Sequence, residues 1–469
     1  MTTKRKVLFV LLTVVLGGAL ASYVLTRPEP LDTRYTGAYA AESGELVFIT
    51  PDRERGLRFR TMQGASGAVW PASDGAFEGG AGWETRAPVA NRFEFAATGG
   101  GSATSWTRTG AASLPLQRLA LPERIVRFDS GEITLRGKLV TPAGTGPFPV
   151  VVLVHGSEDT SAVDHYFEPY LYAAHGLAAF VFDKRGTGES GGEYLQNFHV
   201  LSDDVVAALR WLRTQPQVDR DRMHLAGFSQ GGWIAPLAAR KDGGVRSILV
   251  GYGVMVPVTG EDRWGYLYAL QQKGFGAEAI AAADRVNAII GDVVDRRLNR
   301  WSELQDAVAA VRNEPWFEAV KGSDSTLGFI AASKLPWWAM RAYVWWLVGE
   351  HRDPPFIDRL YDPVPTLAAL DVPSYWILAG EDSSAPAQWT LDALDALKRV
   401  GKPVEYRVFP QADHGILSFT TDARGQRQIA GYEPEYLPLQ IEWFKRQSGT
   451  SLDSALTRHV EPRSALREE

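Results

Sequence analysis

The sequence predicts an α/β protein: a mostly parallel, doubly wound sheet that carries a helical cap insertion and follows a small β-rich N-terminal domain. Three observations predict it. Apolar runs of strand length at 150–154, 178–182, 223–228, 247–250, 375–378 and 404–409 alternate with helical patterns such as 166–174, 202–212 and 231–240. Between 251 and 370 that alternation stops for well over a hundred residues, longer than a plain crossover between strands. Every residue below that carries chemistry falls just beyond the carboxyl end of one of the apolar runs, where open sheets of this class bind their ligands.

Taken in order, the chain begins with Lys4-Arg5-Lys6 ahead of an apolar run at 7–25, closed by Arg27-Pro28. Roughly 19 apolar residues suffice to span a bilayer as a helix. Ala19-Leu20-Ala21 equally offers a small-x-small site for signal cleavage. Residues 1–30 are therefore expected to be a signal peptide or a membrane anchor, with the basic flank cytoplasmic and the rest exported to the periplasm or another extracytoplasmic space. Contact with a membrane is expected only through this segment.

Residues 31–121 shift to Gly, Thr, Ser and Trp, with short apolar runs at 46–49 and 92–95 and turns at Gly79-Gly80 and Gly99-Gly100-Gly101. Short strands in a small β domain fit this pattern. Trp70, Trp83 and Trp106 are read there as core. The sheet domain is expected over 122–252 and 366–447, opening with a hairpin at 124–141 that turns at Asp129-Ser130-Gly131. The run Val150-Val151-Val152-Leu153-Val154 then has the character of a strand buried on both faces.

Composition excludes several classes. A formal net charge of -6 over 469 residues, without long basic blocks, gives no footprint for nucleic acid. The absence of cysteine removes disulfides, thiolate metal sites, cysteine nucleophiles and a lipid-modified cysteine. With histidines scattered, neither metal nor cofactor is expected.

The chemistry gathers on Gly227-Phe228-Ser229-Gln230-Gly231, between the run at 223–228 and the helical pattern at 231–240. A serine flanked by glycines at a strand-to-helix junction turns sharply enough to raise its hydroxyl above the sheet. A hydroxyl needs a base, and an imidazole needs a carboxylate to fix its tautomer. His414, in Asp413-His414-Gly415, follows the run at 404–409, and Asp382 follows the run at 375–378, with Glu381 the competing acid. His155-Gly156-Ser157 follows 150–154; the N–H groups of Ser157 and Gln230 are the expected oxyanion donors, and His155 is read as structural. Asp183-Lys184-Arg185-Gly186-Thr187-Gly188-Glu189-Ser190 is read as a structural loop whose Asp183 and Arg185 bond loop backbone, since it lacks the GK[ST] ending of a phosphate-binding loop.

These motifs resemble the α/β-hydrolase superfamily from about residue 124 to 446, with His155, Gly156, Gly227, Gly231, Asp183 and Arg185 supporting Ser229, Asp382 and His414. Within it, the Asp183–Ser190 loop, the His155-Gly156-Ser157 start and the β-rich extension resemble bacterial serine esterases related to serine aminopeptidases and acylaminoacyl peptidases. The resemblance implies hydrolysis of an acyl ester, thioester or amide through an acyl-serine. Glu158 in the oxyanion loop and Gln230 after the serine depart from some relatives.

The insertion at 253–365 is expected to be a cap of helices near 263–272, 277–291, 301–312 and 337–347, with Trp264, Trp337, Trp338, Trp345 and Trp346 as candidate pocket residues. His351 and Arg352, near the end of the cap, are read as a solvated helix end, with binding of a substrate carboxylate as the alternative. A last helix is expected at 435–446, and 448–469 reads as a disordered tail. An exported carboxylesterase acting on a small-molecule acyl ester leads; an amide or short-peptide hydrolase with the same residues, an acyltransferase, and an anchored binding protein remain as alternatives.

Overall fold

The computed structural model describes residues 33–450 apart from 53–54, 97–102, 296–297, 349–352 and 424. The apolar segment 7–25, His351, Arg352 and the tail from 451 lie outside the described residues. No helix among the described residues is long and apolar enough to cross a membrane.

Eight short strands come first: β1 (Gly37–Ala40), β2 (Leu46–Pro51), β3 (Leu57–Thr61), β4 (Ser66–Pro71), β5 (Phe77–Gly79), β6 (Asn91–Phe95), β7 (Ala103–Arg108) and β8 (Leu114–Arg118). Each pairs antiparallel with the next, and Tyr39 opposite Arg118 closes the ring into a barrel. Closure leaves no free edge, which lets strands this short persist. Trp106 lies flat on Phe93 inside the barrel, with Phe59 tilted against both.

A hairpin, β9 (Glu123–Ser130) and β10 (Ile133–Val140), leads out of the barrel. Its turn is Gly131-Glu132, beyond the expected position, because Ser130 stays in the strand and donates its hydroxyl to the buried Asp204 at 2.6 Å. Six further strands complete an eight-stranded sheet: β11 (Phe148–Val154), β12 (Ala178–Phe182), β13 (Val218–Phe228), β14 (Ser247–Gly251), β15 (Ser374–Ala379) and β16 (Val404–Phe409). The order is β16-β15-β14-β13-β11-β12-β10-β9, parallel from β16 to β12 and antiparallel at β10 and β9.

Alternate residues of these strands enter two different cores. Val150, Val152 and Val154 pack on one face of the sheet, and Val151 and Leu153 on the other. Each such side chain taken fully out of water stabilises the fold by roughly 1.5–3 kcal/mol, so a strand buried on both faces is among the least expendable parts of the chain.

The helices, in chain order, start with α1 (Ala162–His165) and α2 (Glu168–Ala174). One helix was expected at 166–174; the chain instead leaves α1 at an extended Tyr166 and restarts with Pro169 in the first turn of α2, where a missing N–H costs nothing. Next come α3 (Phe198–Leu212) and α4 (Gly231–Asp242). The cap is α5 (Val258–Gln272), α6 (Ala277–Val294), α7 (Trp301–Val311), α8 (Pro315–Ala319), α9 (Thr326–Ala332) and α10 (Trp337–Val348), held by its own core, which includes Tyr266, Ile290, Trp301 and Leu304. The chain returns through α11 (Val364–Ala368), and α12 (Ala387–Arg399) joins β15 to β16.

Two elements then tie the molecule together. A ribbon of β17 (Leu417–Thr421) and β18 (Arg427–Tyr432), not expected from the sequence, leaves the His414 loop and meets the barrel. Its Tyr432 N–H donates to Gly64 at 2.8 Å, and Trp83 of the barrel donates to Ile429 at 3.1 Å. The last helix, α13 (Tyr436–Ser448), lays Leu437, Ile441 and Trp443 on the sheet.

Candidate active site

Between β13 and α4 the chain reverses within a few residues, and Ser229 takes φ +50, a left-handed conformation that costs a non-glycine residue of order 1–3 kcal/mol. The surroundings hold it there: the Ser229 N–H donates to Gly251 at 3.0 Å, and its carbonyl accepts from Gly232 at 2.8 Å. Two glycines make this packing possible. A Cβ on Gly227 would lie 2.4 Å from the Gly231 carbonyl oxygen, and one on Gly231 would lie 2.2 Å from that of Val154. Strand and helix approach so closely only because neither residue has a side chain.

The loops after β15 and β16 meet above this turn. His414 Nε2 lies 3.1 Å from Ser229 Oγ, and its Nδ1 lies 3.0 and 3.1 Å from the two carboxylate oxygens of Asp382. Asp382 is almost fully buried, and its Oδ1 also accepts from the N–H groups of Ser384 at 2.9 Å and Ala385 at 2.7 Å. The competing Glu381 turns away toward Arg427.

Sequence reasoning passed over the residues that join these two loops. Asp413 accepts from its neighbour's His414 N–H at 2.8 Å and from Ser383 N–H and Oγ, both at 3.2 Å. Arg427, on the ribbon, reaches Asp413 Oδ2 at 2.6 Å and the Glu381 carbonyl at 2.7 Å. The barrel-bound ribbon therefore braces both the acid loop and the histidine loop. A lone arginine in a short alternating run gives no signal in sequence for such a role.

Ser157 and Gln230 line the same cavity as Ser229 and His414. Gln230 caps the N-terminus of α4, where unpaired N–H groups and the helix dipole favour developing negative charge. The supporting loop is held by Lys184, which donates to the Gly156 carbonyl at 2.5 Å and approaches the Gln230 side chain at 3.4 Å. Burial lowers the Lys184 ammonium to about 8, against the opposing pull of Glu158 and Asp159. His155 is buried beneath the loop; burial and then Lys184 hold it down to about 4, so it is neutral. Glu158 is drawn aside by the Tyr166 hydroxyl.

One expectation about the supporting loop needs correction. Arg185 does not bond loop backbone: it forms a paired contact with Asp204 at 2.8 and 2.6 Å. Asp183 meets its own loop's backbone as expected, accepting from the Glu189 N–H at 3.4 Å, and also accepts from the Val163 N–H at 3.0 Å and the Ser161 hydroxyl at 2.8 Å at the start of α1. A guanidinium fork and a buried carboxylate satisfy each other better than either satisfies single carbonyls.

The candidate pocket tryptophans fare differently from their expectation. A cavity of about 810 Å³ runs from Ser229 and His414 into the cap, and Trp233 and Trp301 line it. Trp264, Trp337, Trp338, Trp345 and Trp346 do not. Trp264 donates its indole N–H to the Asp382 carbonyl at 3.0 Å and so holds the acid loop from above. Trp337 stacks edge-on against Trp301 in the cap core, while Trp338, Trp345 and Trp346 face outward. A smaller cavity of about 460 Å³ lies on the other side of Ser229 and His414, walled by Glu158, Asp159, Tyr166, Tyr194 and Tyr252.

The cap also brings Glu261, in the first turn of α5, into the larger cavity beside His414. Burial pushes its carboxyl up to about 8. On His414 burial acts downward, but the charge and hydrogen bond of Asp382, helped by Glu261 and Asp413, prevail and raise the imidazole to about 9. A base works only when deprotonated, and the deprotonated form accumulates above the raised value. The acid limb of kcat/KM is thus expected above neutrality, rising toward pH 9. Glu261→Gln removes one upward push and should move that limb to lower pH, read from kcat/KM profiles of the two proteins; an unmoved limb would contradict the coupling.

Comparison with known proteins places these features in a lineage. A family model described as X-Pro dipeptidyl-peptidase (S15 family) matches residues 130–415. The "uncharacterized 31.7 kDa protein in traX-finO intergenic region" of Escherichia coli is 24% identical over 318 residues, covering 65% of this chain and 93% of that protein. The "uncharacterized peptidase YtmA" of Bacillus subtilis is 29% identical over 143 residues, covering 29% of this chain and 55% of that protein. Esterase EstD of Thermotoga maritima is 30% identical over 125 residues, covering 24% of this chain and 30% of that protein. Among solved structures, the acylaminoacyl peptidase of Pyrococcus horikoshii is 17% identical with a TM-score of 0.42, over 86% of this chain and 57% of that one.

Proposed function

The chain belongs to the X-Pro dipeptidyl-peptidase (S15) family, a serine-type hydrolase family of the α/β-hydrolase superfamily, and from that premise we propose that it hydrolyses carboxylic esters with an apolar acyl group through an acyl-serine. One observation carries the choice of ester: the cavity that starts at Ser229 is walled on its cap helices by apolar side chains such as Ile290, Val293, Leu304, Met340, Val344 and Leu347. Its volume of about 810 Å³ falls in the range of roughly 300–1,000 Å³ that holds an organic ligand of moderate size.

In the proposed reaction Ser229 Oγ attacks the ester carbonyl carbon while its proton passes to His414 Nε2. Asp382 holds the Nδ1–H tautomer and stabilises the imidazolium. The carbonyl oxygen becomes an oxyanion held by the N–H groups of Ser157 and Gln230. The C–O bond to the leaving alcohol breaks, and His414 returns the proton to that alcohol. Water then attacks the acyl-serine, giving its proton to His414, and the acid leaves as Ser229 regains its hydrogen. The apolar cavity is the acyl site in this reading, and the smaller, more polar cavity on the far side of Ser229 receives the leaving group.

An amide or peptide with a free amino group is the second reading, favoured by one observation: Glu261 and Asp262 both line the larger cavity, and the Asp262 Oδ2 oxygen is buried without a hydrogen bond among the described residues. Matched panels of p-nitrophenyl esters and aminoacyl p-nitroanilides separate the two. Octanoate turned over faster than acetate, and both faster than the anilides, is the expected order; faster anilides would replace the first reading by the second. Val344→Phe fills part of the cavity wall and is expected to cut kcat/KM for octanoate about tenfold while changing acetate little. Equal loss on both would remove the cavity from the acyl site. Export of the chain, with residues 7–25 as signal or anchor, completes the proposal and is tested by fractionating cells that express the full chain.

A further inference from the structure

Helix α10 has two apolar sides. Met340, Tyr343, Val344 and Leu347 line the larger cavity, while Trp338 is 77% exposed, Trp345 53% and Trp346 51%. With Leu335, and with Phe329 and Tyr343, which also line the cavity, these make six of the ten large hydrophobic side chains exposed among the described residues, all between 329 and 346. Scattered apolar residues on a surface need no explanation, but such a concentration marks a surface that meets something.

The charge around it indicates what. Within the cluster, from 329 to 346, the chain carries Lys334 and Arg341 and no Asp or Glu, with Asp324 and Glu350 flanking it, in a protein whose formal net charge is -6. Both cations are exposed. Tryptophan and tyrosine settle at the boundary of hydrocarbon and water, and basic residues beside them are drawn to anionic headgroups. A second copy of the chain is disfavoured by the same charges, because a two-fold pairing of this face would bring like cations together.

We propose that α10 docks the cap onto an anionic lipid bilayer and that apolar esters pass from that bilayer into the cavity the same helix lines. Docking stands independently; the passage of esters rests on the esterase reading above.

The absence of cysteine permits a direct test in the full chain. Leu335→Cys and, as a remote exposed control, Val400→Cys are each labelled with an environment-sensitive fluorophore and mixed with phosphatidylglycerol-containing vesicles whose lipids carry brominated acyl chains. The label at 335 should shift to the blue and be quenched several-fold more than the label at 400. Lys334→Glu with Arg341→Glu should weaken that quenching about tenfold, given the attraction of each basic residue to anionic lipid. Equal response at both positions would overturn docking, as would a blue shift without vesicles that grows with protein concentration, which would assign the face to a second copy. For the passage of esters, Trp338→Ser/Trp345→Ser/Trp346→Ser should lower turnover of a vesicle-borne ester about tenfold and leave a soluble acetate within about twofold. Equal turnover of the vesicle-borne ester by both proteins, with docking intact, would overturn the passage alone.

Discussion

Ser229→Ala is expected to lower kcat for ester hydrolysis by about 10⁵- to 10⁶-fold, with KM and the folded structure nearly unchanged. The size follows from the role: without Oγ there is no acyl-serine, and His414 and Asp382 have nothing to deprotonate. Only the oxyanion donors and the binding cavity remain, which leaves a small residual rate. Folding is spared because the serine is held by backbone bonds, from its N–H to Gly251 and from Gly232 to its carbonyl, and alanine keeps both. The left-handed backbone is equally strained with either residue. Steady-state assay on the best ester, alongside near-ultraviolet circular dichroism, separates the two effects. A variant that retains more than a few per cent of turnover would remove Ser229 from the reaction.

Asp382→Asn carries the next largest effect, a fall in kcat of about 10⁴-fold. The buried carboxylate accepts from Ser384 and Ala385 through Oδ1 while facing His414 Nδ1. In the variant the amide oxygen stays with those two N–H groups, so the amide nitrogen turns to His414 and donates to Nδ1. The imidazole must then carry its proton on Nε2, pointed at Ser229, and cannot take another from the hydroxyl. The loop keeps its bonds, so stability changes little while the base is in the wrong tautomer. Glu381→Gln provides the contrast: its side chain meets Arg427 and not His414, and it is expected to stay within about threefold of the parent. A larger loss in Glu381→Gln than in Asp382→Asn would reverse the assignment of the acid.

What the sequence made legible was what depends on short stretches. Ser229 announces itself because the strand, the Gly227-Phe228-Ser229-Gln230-Gly231 pattern and the helix follow one another within a few residues. Asp382 and His414 stand out because each follows a strand of the same sheet. Closure of the barrel was not legible, because it rests on Tyr39 meeting Arg118, a pairing with no local sign. The ribbon and Arg427 were missed for a similar reason: their meaning lies in Asp413 and Glu381, which come from other loops.

The cap tryptophans show a different limit. Their density marks apolar helices but not which way each indole points. Along α10 the spacing of 337, 340, 344 and 347 marks the inward side, and Trp338, Trp345 and Trp346 fall off it. That division can be read from the sequence only after the helix has been placed against the cavity. Arg185 was misassigned because Asp204, its partner, sits in the middle of another helix, where an acidic residue ordinarily faces water.

The central claim is that Ser229, activated by His414, forms a covalent acyl-enzyme. Mass spectrometry of the full chain after treatment with a fluorophosphonate tests it most directly. The account predicts one adduct, on the peptide that contains Ser229, absent in Ser229→Ala and formed much more slowly in His414→Ala. An adduct that persists in Ser229→Ala, or that maps to any other residue, would contradict it.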